Sequence, residues 1–155
     1  MELAALLLLL FLSACFSGSE TALFSLTETD IAGFGKENRV VKLLKRTNRL
    51  LAALLVGNLL VNVVASVLAT SILVDLFGVK GIAVAIPALT IMLLLFGEIT
   101  PKLIALQNKH LFSKLSAVPL SFWLLLIKPL LDIIDWGLHT MLGLLPQEKE
   151  SGKPL

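Results

Sequence analysis

From Gly81 to Phe96 the chain carries no charged residue, and the run closes on Phe96-Gly97-Glu98-Ile99-Thr100-Pro101-Lys102. That stretch restricts the fold more than any other. A bilayer demands an apolar segment of this order from a helix. A carboxylate left at its end costs about 2.5 to 3.5 kcal/mol even on the lenient insertion scale, so Glu98 needs a partner or a purpose. Pro101 has no N–H, so in a helix the carbonyl of Gly97, four residues back, loses its donor and the helix kinks. The segment then presents a carboxylate beside a freed backbone oxygen, two hard ligands of the kind a cation takes. A plainer reading stands beside that one: Glu98 and Lys102 are four apart in the favourable order for a helical ion pair.

The rest of the composition agrees with a membrane location. Of the 155 residues, 57% are hydrophobic and 15% charged, where a soluble domain has about 45 to 50% and about 25%. At about 20 residues per span there is material for three or four spans and no soluble domain. The net charge is +2, and no basic stripe is interleaved with aromatics, which excludes nucleic acid as a partner. Cys15 stands alone, so there is no internal disulfide and no multi-cysteine metal site. His110 and His139 are too far apart in sequence to suggest a zinc or iron site. A nucleotide-driven pump lacks its Gly-rich phosphate loop here, and an enzyme lacks a nucleophile–histidine pair.

In chain order, residues 3–27 read as the first span. Leu12-Ser13-Ala14-Cys15 has the look of a lipoprotein cleavage box, but the N-terminal region holds Glu2 and no Lys or Arg, and apolar character resumes from Thr21 to Leu26. Ser17 and Glu20 have capping-box spacing inside this span, and Gly18 lowers the cost of a break. The pattern predicts a first helix broken at Ser17-Gly18-Ser19-Glu20, a device that places backbone groups around ions. Close helix packing on small residues is the alternative. Thr27 and Asp30 repeat the capping-box spacing and open a basic stretch, about 29–48, with Lys36, Arg39, Lys42, Lys45 and Arg46. Val40, Val41, Leu43 and Leu44 give it an apolar side, as in an amphipathic surface helix. The Lys and Arg density puts this side in the cytoplasm and the N-terminus outside.

The second span, about 50–76, carries Asn58, Asn62, Ser66 and Thr70 every four residues. That spacing advances about 40° per step and makes one slanting polar stripe. It suits a lined pathway, with interhelical hydrogen-bond glue as the bland alternative. Asp75 to Gly81 is a short external turn, and the third span, about 82–107, returns inward. Residues 109–145 hold Lys128, Pro129, Asp132 and Asp135 in otherwise apolar sequence. They read as a juxtamembrane helix pair hinged at Pro129, with both aspartates on one face, or else as a fourth span. Residues 146–155 are a polar stub.

Ser17-Gly18-Ser19-Glu20-Thr21-Ala22-Leu23, Gly57-Asn58 with Asn62, and Gly97-Glu98-Ile99-Thr100-Pro101-Lys102 together resemble the transmembrane domain of the CorC/CNNM family, over residues 16 to about 145. The resemblance implies an all-α membrane protein with three transmembrane helices, the first broken, and cytosolic juxtamembrane helices. It implies a homodimer in the plasma membrane, a cytoplasmic C-terminus, and CBS domains beyond Leu155. It also implies Mg2+ as substrate and Na+ as the driving ion. The metal ligands expected from it are Gly18, Ser19, Asn58, Asn62, Ser66 and Glu98. Ser17, Glu20, Gly97, Pro101 and Lys102 would shape the helix break or orient Glu98, and Thr21 and Ser25 are candidate Na+ donors. A cation channel, or a membrane anchor or Mg2+ sensor for an absent cytosolic part, are the competing functions.

Overall fold

The structure, a computed structural model, describes residues 1–35 and 37–144; the side chains at 80, 84, 135 and 138–144 fall outside it. Lys36, the Asp135 carboxylate and the polar stub at 146–155 therefore lie outside the described residues. Every regular element among the described residues is helical: α1 (Glu2–Phe24), α2 (Glu28–Phe34), α3 (Arg39–Leu44), α4 (Thr47–Met92), a π-helical segment (Leu93–Ile99), α5 (Thr100–Gln107), α6 (Lys109–Leu126) and α7 (Lys128–Leu144). Three stretches are long and apolar enough to cross a membrane: Glu2–Phe24, Thr47–Val79 and Gly81–Gln107.

α4 holds the second span and the start of the third, divided at Gly78 (φ 66°, ψ 179°). Glycine takes that left-handed φ without the steric cost a Cβ would add. Asn62 reaches Glu98 across the reversal, so the two arms run antiparallel. α1 is the hub, packed on α4, the π segment, α5 and α6. α4 buries small residues, Ala53, Ala65 and Ala69, of the kind that let helices approach closely in lipid. Gly57 marks the closest approach. A Cβ there would sit 2.6 Å from the Phe16 ring and 3.0 Å from Trp123 Nε1. Phe16 and Trp123 meet edge to face at 5.4 Å, and the indole N–H donates to the Ala53 carbonyl at 2.9 Å.

Three expectations need correction. The first helix is not broken: α1 runs unbroken through Ser17-Gly18-Ser19-Glu20. The Ser19 hydroxyl donates to the Cys15 carbonyl one turn back, 2.5 Å away, a bond that keeps the hydroxyl inside the helix. Glu20 turns to Lys102 Nζ at 3.4 Å and so closes no capping box. The basic stretch is two short helices, not one. Gly35 (φ 77°) ends α2, and the Asn38 side chain caps α3 by accepting the Val40 N–H at 3.0 Å. The capping box at Thr27 does form, with Thr27 N–H donating to Asp30 Oδ2 at 2.9 Å and Asp30 N–H to Thr27 Oγ1 at 3.3 Å. Finally, the α6–α7 bend of 65° falls at Ile127, not Pro129. Pro129 sits in the first turn of α7, where its missing N–H breaks no helical bond. Taken together as one bent unit, α6 and α7 would also satisfy the length and apolarity of a fourth span.

Outside the spans the elements are tied by charge. Asp30 receives Lys109 Nζ at 2.5 Å and His110 Nε2 at 2.9 Å. The Lys109 ammonium, with help from Thr27, holds the Asp30 carboxyl well below the usual carboxylate range. Arg49 reaches Asp132 at 2.9 Å and joins the start of α4 to α7.

Candidate cation site

The polar stripe of the second span faces the acid of the third. Asn58 Nδ2 and Asn62 Nδ2 each lie 3.5 Å from Glu98 Oε1. The amide oxygens turn the other way, toward α1, where the Ser13 hydroxyl lies 3.2 Å from Asn58 Oδ1 and 2.6 Å from Asn62 Oδ1. Ser13 also abuts the third span, its Oγ 3.1 Å from where a Gly97 Cβ would stand. One serine thus touches all three spans. One turn along α1, the Ser17 hydroxyl donates to the Glu98 carbonyl at 3.4 Å. Ser13 and Ser17 are fully buried, and the Glu98, Asn58 and Asn62 side chains are half-buried.

The local backbone explains how Glu98 comes to face this stripe. Pro101 supplies no N–H to the carbonyl four residues back, and the chain answers with wider winding over Leu93–Ile99, where the Thr100 N–H bonds the Leu95 carbonyl. A π-helical turn of this kind is uncommon and concentrates at functional sites. The simple proline kink expected from the sequence is therefore a π segment. The backbone oxygen that finds a side-chain donor there is that of Glu98, through Ser17.

Lys102 pairs with Glu20, not with Glu98 as the helical spacing suggested. Gly18 lies against the Phe112 ring, 2.8 Å from its would-be Cβ, and near the Pro101 carbonyl at 3.4 Å. Its role is close packing of α1 on α6 and α5. Ser66 donates to the Asn62 carbonyl at 2.8 Å and Thr70 to the Ser66 carbonyl at 2.7 Å, which extends the stripe along α4. Ser19 is not brought to the cluster. It lines a small hollow of about 90 Å³ with Cys15, Phe16 and Trp123, between α1 and α6. Ser13, by contrast, joins the cluster without having been singled out, although its four-residue spacing from Ser17 repeats that of the asparagines.

The arrangement is one carboxylate, two carboxamides and two hydroxyls between three apolar helices, and among the described residues no three His, Cys, Asp or Glu side chains converge. A hard cation that prefers oxygen suits this chemistry. The sequence matches the family described as CNNM, the Cyclin M transmembrane N-terminal domain, over residues 3–155. The chain belongs to this family. Among its relatives, the UPF0053 inner membrane protein YfjD of Escherichia coli is 37% identical over 86% of this chain and 32% of that protein. A UPF0053 protein of Haemophilus influenzae is 36% identical over 90% of this chain and 35% of its own length. A chloroplastic DUF21 domain-containing protein of Arabidopsis thaliana is 32% identical, covering 90% and 22%. This CNNM domain thus spans about a third or less of the curated relatives it matches.

Proposed function

We propose that this CNNM domain moves Mg2+ across the membrane through the Glu98–Asn58–Asn62 cluster, as Na+-driven efflux. The observation that carries the reading is a carboxylate inside a span that is met by two carboxamides while the nearest cation on its own helix, Lys102, is engaged by Glu20. With amide nitrogens turned to Glu98, the cluster holds the carboxylate in a stable resting state. A flip of both amides exchanges N and O: two carbonyl oxygens then face Glu98, and Ser13, with two lone pairs, accepts the two N–H groups it now faces as oxygens. The flip gives up the two N–H bonds to Glu98 and creates a three-oxygen site, which a bound cation between those oxygens stabilises.

An octahedral Mg2+ at about 2.1 Å from each ligand separates adjacent oxygens by roughly 3.0 Å. The 3.5 Å spacings at Glu98 must therefore close by roughly 0.5 Å on Mg2+, or the ion keeps part of its hydration shell. A single carboxylate gives modest affinity, which suits an ion that must also leave. Na+ as the driving ion follows from the family likeness, with Thr21 and Ser25 as candidate donors. So do the plasma-membrane location and the cytosolic CBS domains, while the N-terminus outside follows from the Lys and Arg density after the first span. A homodimer has independent support: only 6% of the most apolar window in Gly81–Gln107 is buried, and Ala83 and Pro87 are exposed there, whereas Ala85 already packs inside the chain. Light scattering that gives a monomer mass in both detergent and nanodiscs would remove the dimer.

The functional test is Mg2+ flux into proteoliposomes that enclose a fluorescent indicator, with an imposed Na+ gradient. Flux that requires the gradient and falls to background in Glu98→Gln supports the reading. Discrete conductance steps in planar bilayers would replace it with a channel, and ion binding without flux would leave an anchor or sensor.

A further inference from the structure

Away from the cation cluster, the basic end of the second span frames a hollow of about 610 Å³, within the size range of small-ligand sites. Its walls come from three places. Arg39 and Lys42 stand on α3, Lys45 and Arg46 on the turn into α4, Arg49 in the first turn of α4, and Lys128 at the start of α7. The bend at Ile127 turns α7 aside and leaves the space open. No acidic side chain lines it. Lys42 is engaged by Glu37 and Arg49 by Asp132. Arg39, Lys45, Arg46 and Lys128 have no ion pair among the described residues. A second hollow of about 600 Å³ continues from it along Lys45, Arg46 and Arg49.

The other half of the lining is apolar. Leu124 and Leu125 from α6 and Leu131 from α7 face the same space, and Leu125, Leu126 and Ile133 continue outward as an exposed apolar surface. Four cations without an ion pair among the described residues, set against a wall of leucines, make an amphipathic cleft. A soluble partner of purely acidic character would leave the leucines wet. A phospholipid with an anionic headgroup fills both halves, with phosphate oxygens among the guanidinium and ammonium groups and acyl chains along α6. Arg in particular matches phosphate geometry through its planar fork, and basic pockets between helices on the cytoplasmic side are a known mode of headgroup binding. We propose that this cleft is a binding site for one anionic phospholipid, which bridges α3, α4 and α7 at the inner surface of the bilayer.

Native mass spectrometry of the 155-residue chain, released from micelles with equal amounts of phosphatidylglycerol and phosphatidylcholine, tests this. The expected spectrum retains one phosphatidylglycerol per chain in preference to phosphatidylcholine. Each cation near an anionic surface is worth about fivefold in partition, so Arg46→Gln with Lys128→Gln should reduce that preference by roughly 25-fold. Lys114→Gln, outside the cleft, should leave it unchanged, as controls for general basicity require. Leu124→Asn should weaken lipid retention with the cations intact. Glycerol phosphate added as competitor should displace little, because it lacks acyl chains. Equal phosphatidylglycerol retention in the double variant and the wild type, at equal helical content by circular dichroism, would overturn the proposal. So would loss of preference in Lys114→Gln as large as in the double variant, which would indicate diffuse attraction. Full displacement by glycerol phosphate would also overturn it, in favour of a free-phosphate site.

Discussion

Glu98 matters at the level of the single residue because of what surrounds it, and the residue that organises those surroundings is Ser13. Its hydroxyl lies against the amide oxygens of both asparagines, and its small size lets α1 lie against Gly97. Ser13→Ala keeps the volume and removes the hydrogen-bonding oxygen. One side-chain hydrogen bond contributes about 1 kcal/mol, so Mg2+ affinity measured by calorimetry should fall by roughly fivefold. Unchanged affinity would mean that the amides are oriented by something else. Glu98, Asn58 and Asn62 were legible in the sequence because a polar group inside an apolar run stands out. Ser13 was not. It sits in Leu12-Ser13-Ala14-Cys15, where the local pattern suggested a processing site, and only the fold shows that it faces another helix's asparagines. Ser19 is the opposite case. Its assignment depended on a break in α1, and the bond to the Cys15 carbonyl satisfies that hydroxyl within an intact helix.

At the level of the element, Pro101 and the π segment decide which way Glu98 points. The sequence announced a disturbance there, since proline lacks the donor that an α-helix needs. It could not announce the form, because π winding and a kink both answer the same missing N–H, and the choice rests on how α1 and α4 pack around Gly97 and Glu98. Pro101→Ala restores the donor. Residues 93–99 are then free to wind as an α-helix, which rotates Glu98 away from Asn58 and Asn62. We expect this variant to remain helical by circular dichroism yet to bind Mg2+ at least tenfold more weakly, a change of about 1.4 kcal/mol. Wild-type affinity in Pro101→Ala would show that the proline does not set the winding. The split of the basic stretch into α2 and α3 was readable after the fact, in Gly35 and the Asn38 cap, but the mixture of Lys and Arg with Val and Leu around them had masked both.

At the level of the molecule, the helices outside the spans are held to one another by Asp30 of α2, which gathers Thr27 with Lys109 and His110 of α6. Its carboxyl titrates below its ordinary value of 3.8 because the folded state favours the charged form. The resulting stability is complete above the unfolded pKa and is lost as pH falls through the lower, folded one. Asp30→Asn should therefore melt at a lower temperature than wild type at pH 7, and the gap should narrow as the pH is taken from about 5 to about 2. A gap independent of pH, followed by circular dichroism in micelles, would remove the charge from this explanation. Three apolar spans were legible from composition and run length alone. Their arrangement was not, since the antiparallel return at Gly78 and the central place of α1 depend on contacts between residues 36 to 49 positions apart.

Mg2+ binding to the purified chain, followed by calorimetry for wild type, Glu98→Gln and Glu20→Gln, bears most directly on the cation site. The expected result is saturable binding in the wild type, loss of binding in Glu98→Gln, and near wild-type binding in Glu20→Gln, whose carboxylate serves Lys102. Equal binding in wild type and Glu98→Gln would contradict the site, and loss confined to Glu20→Gln would move it to the Glu20–Lys102 pair.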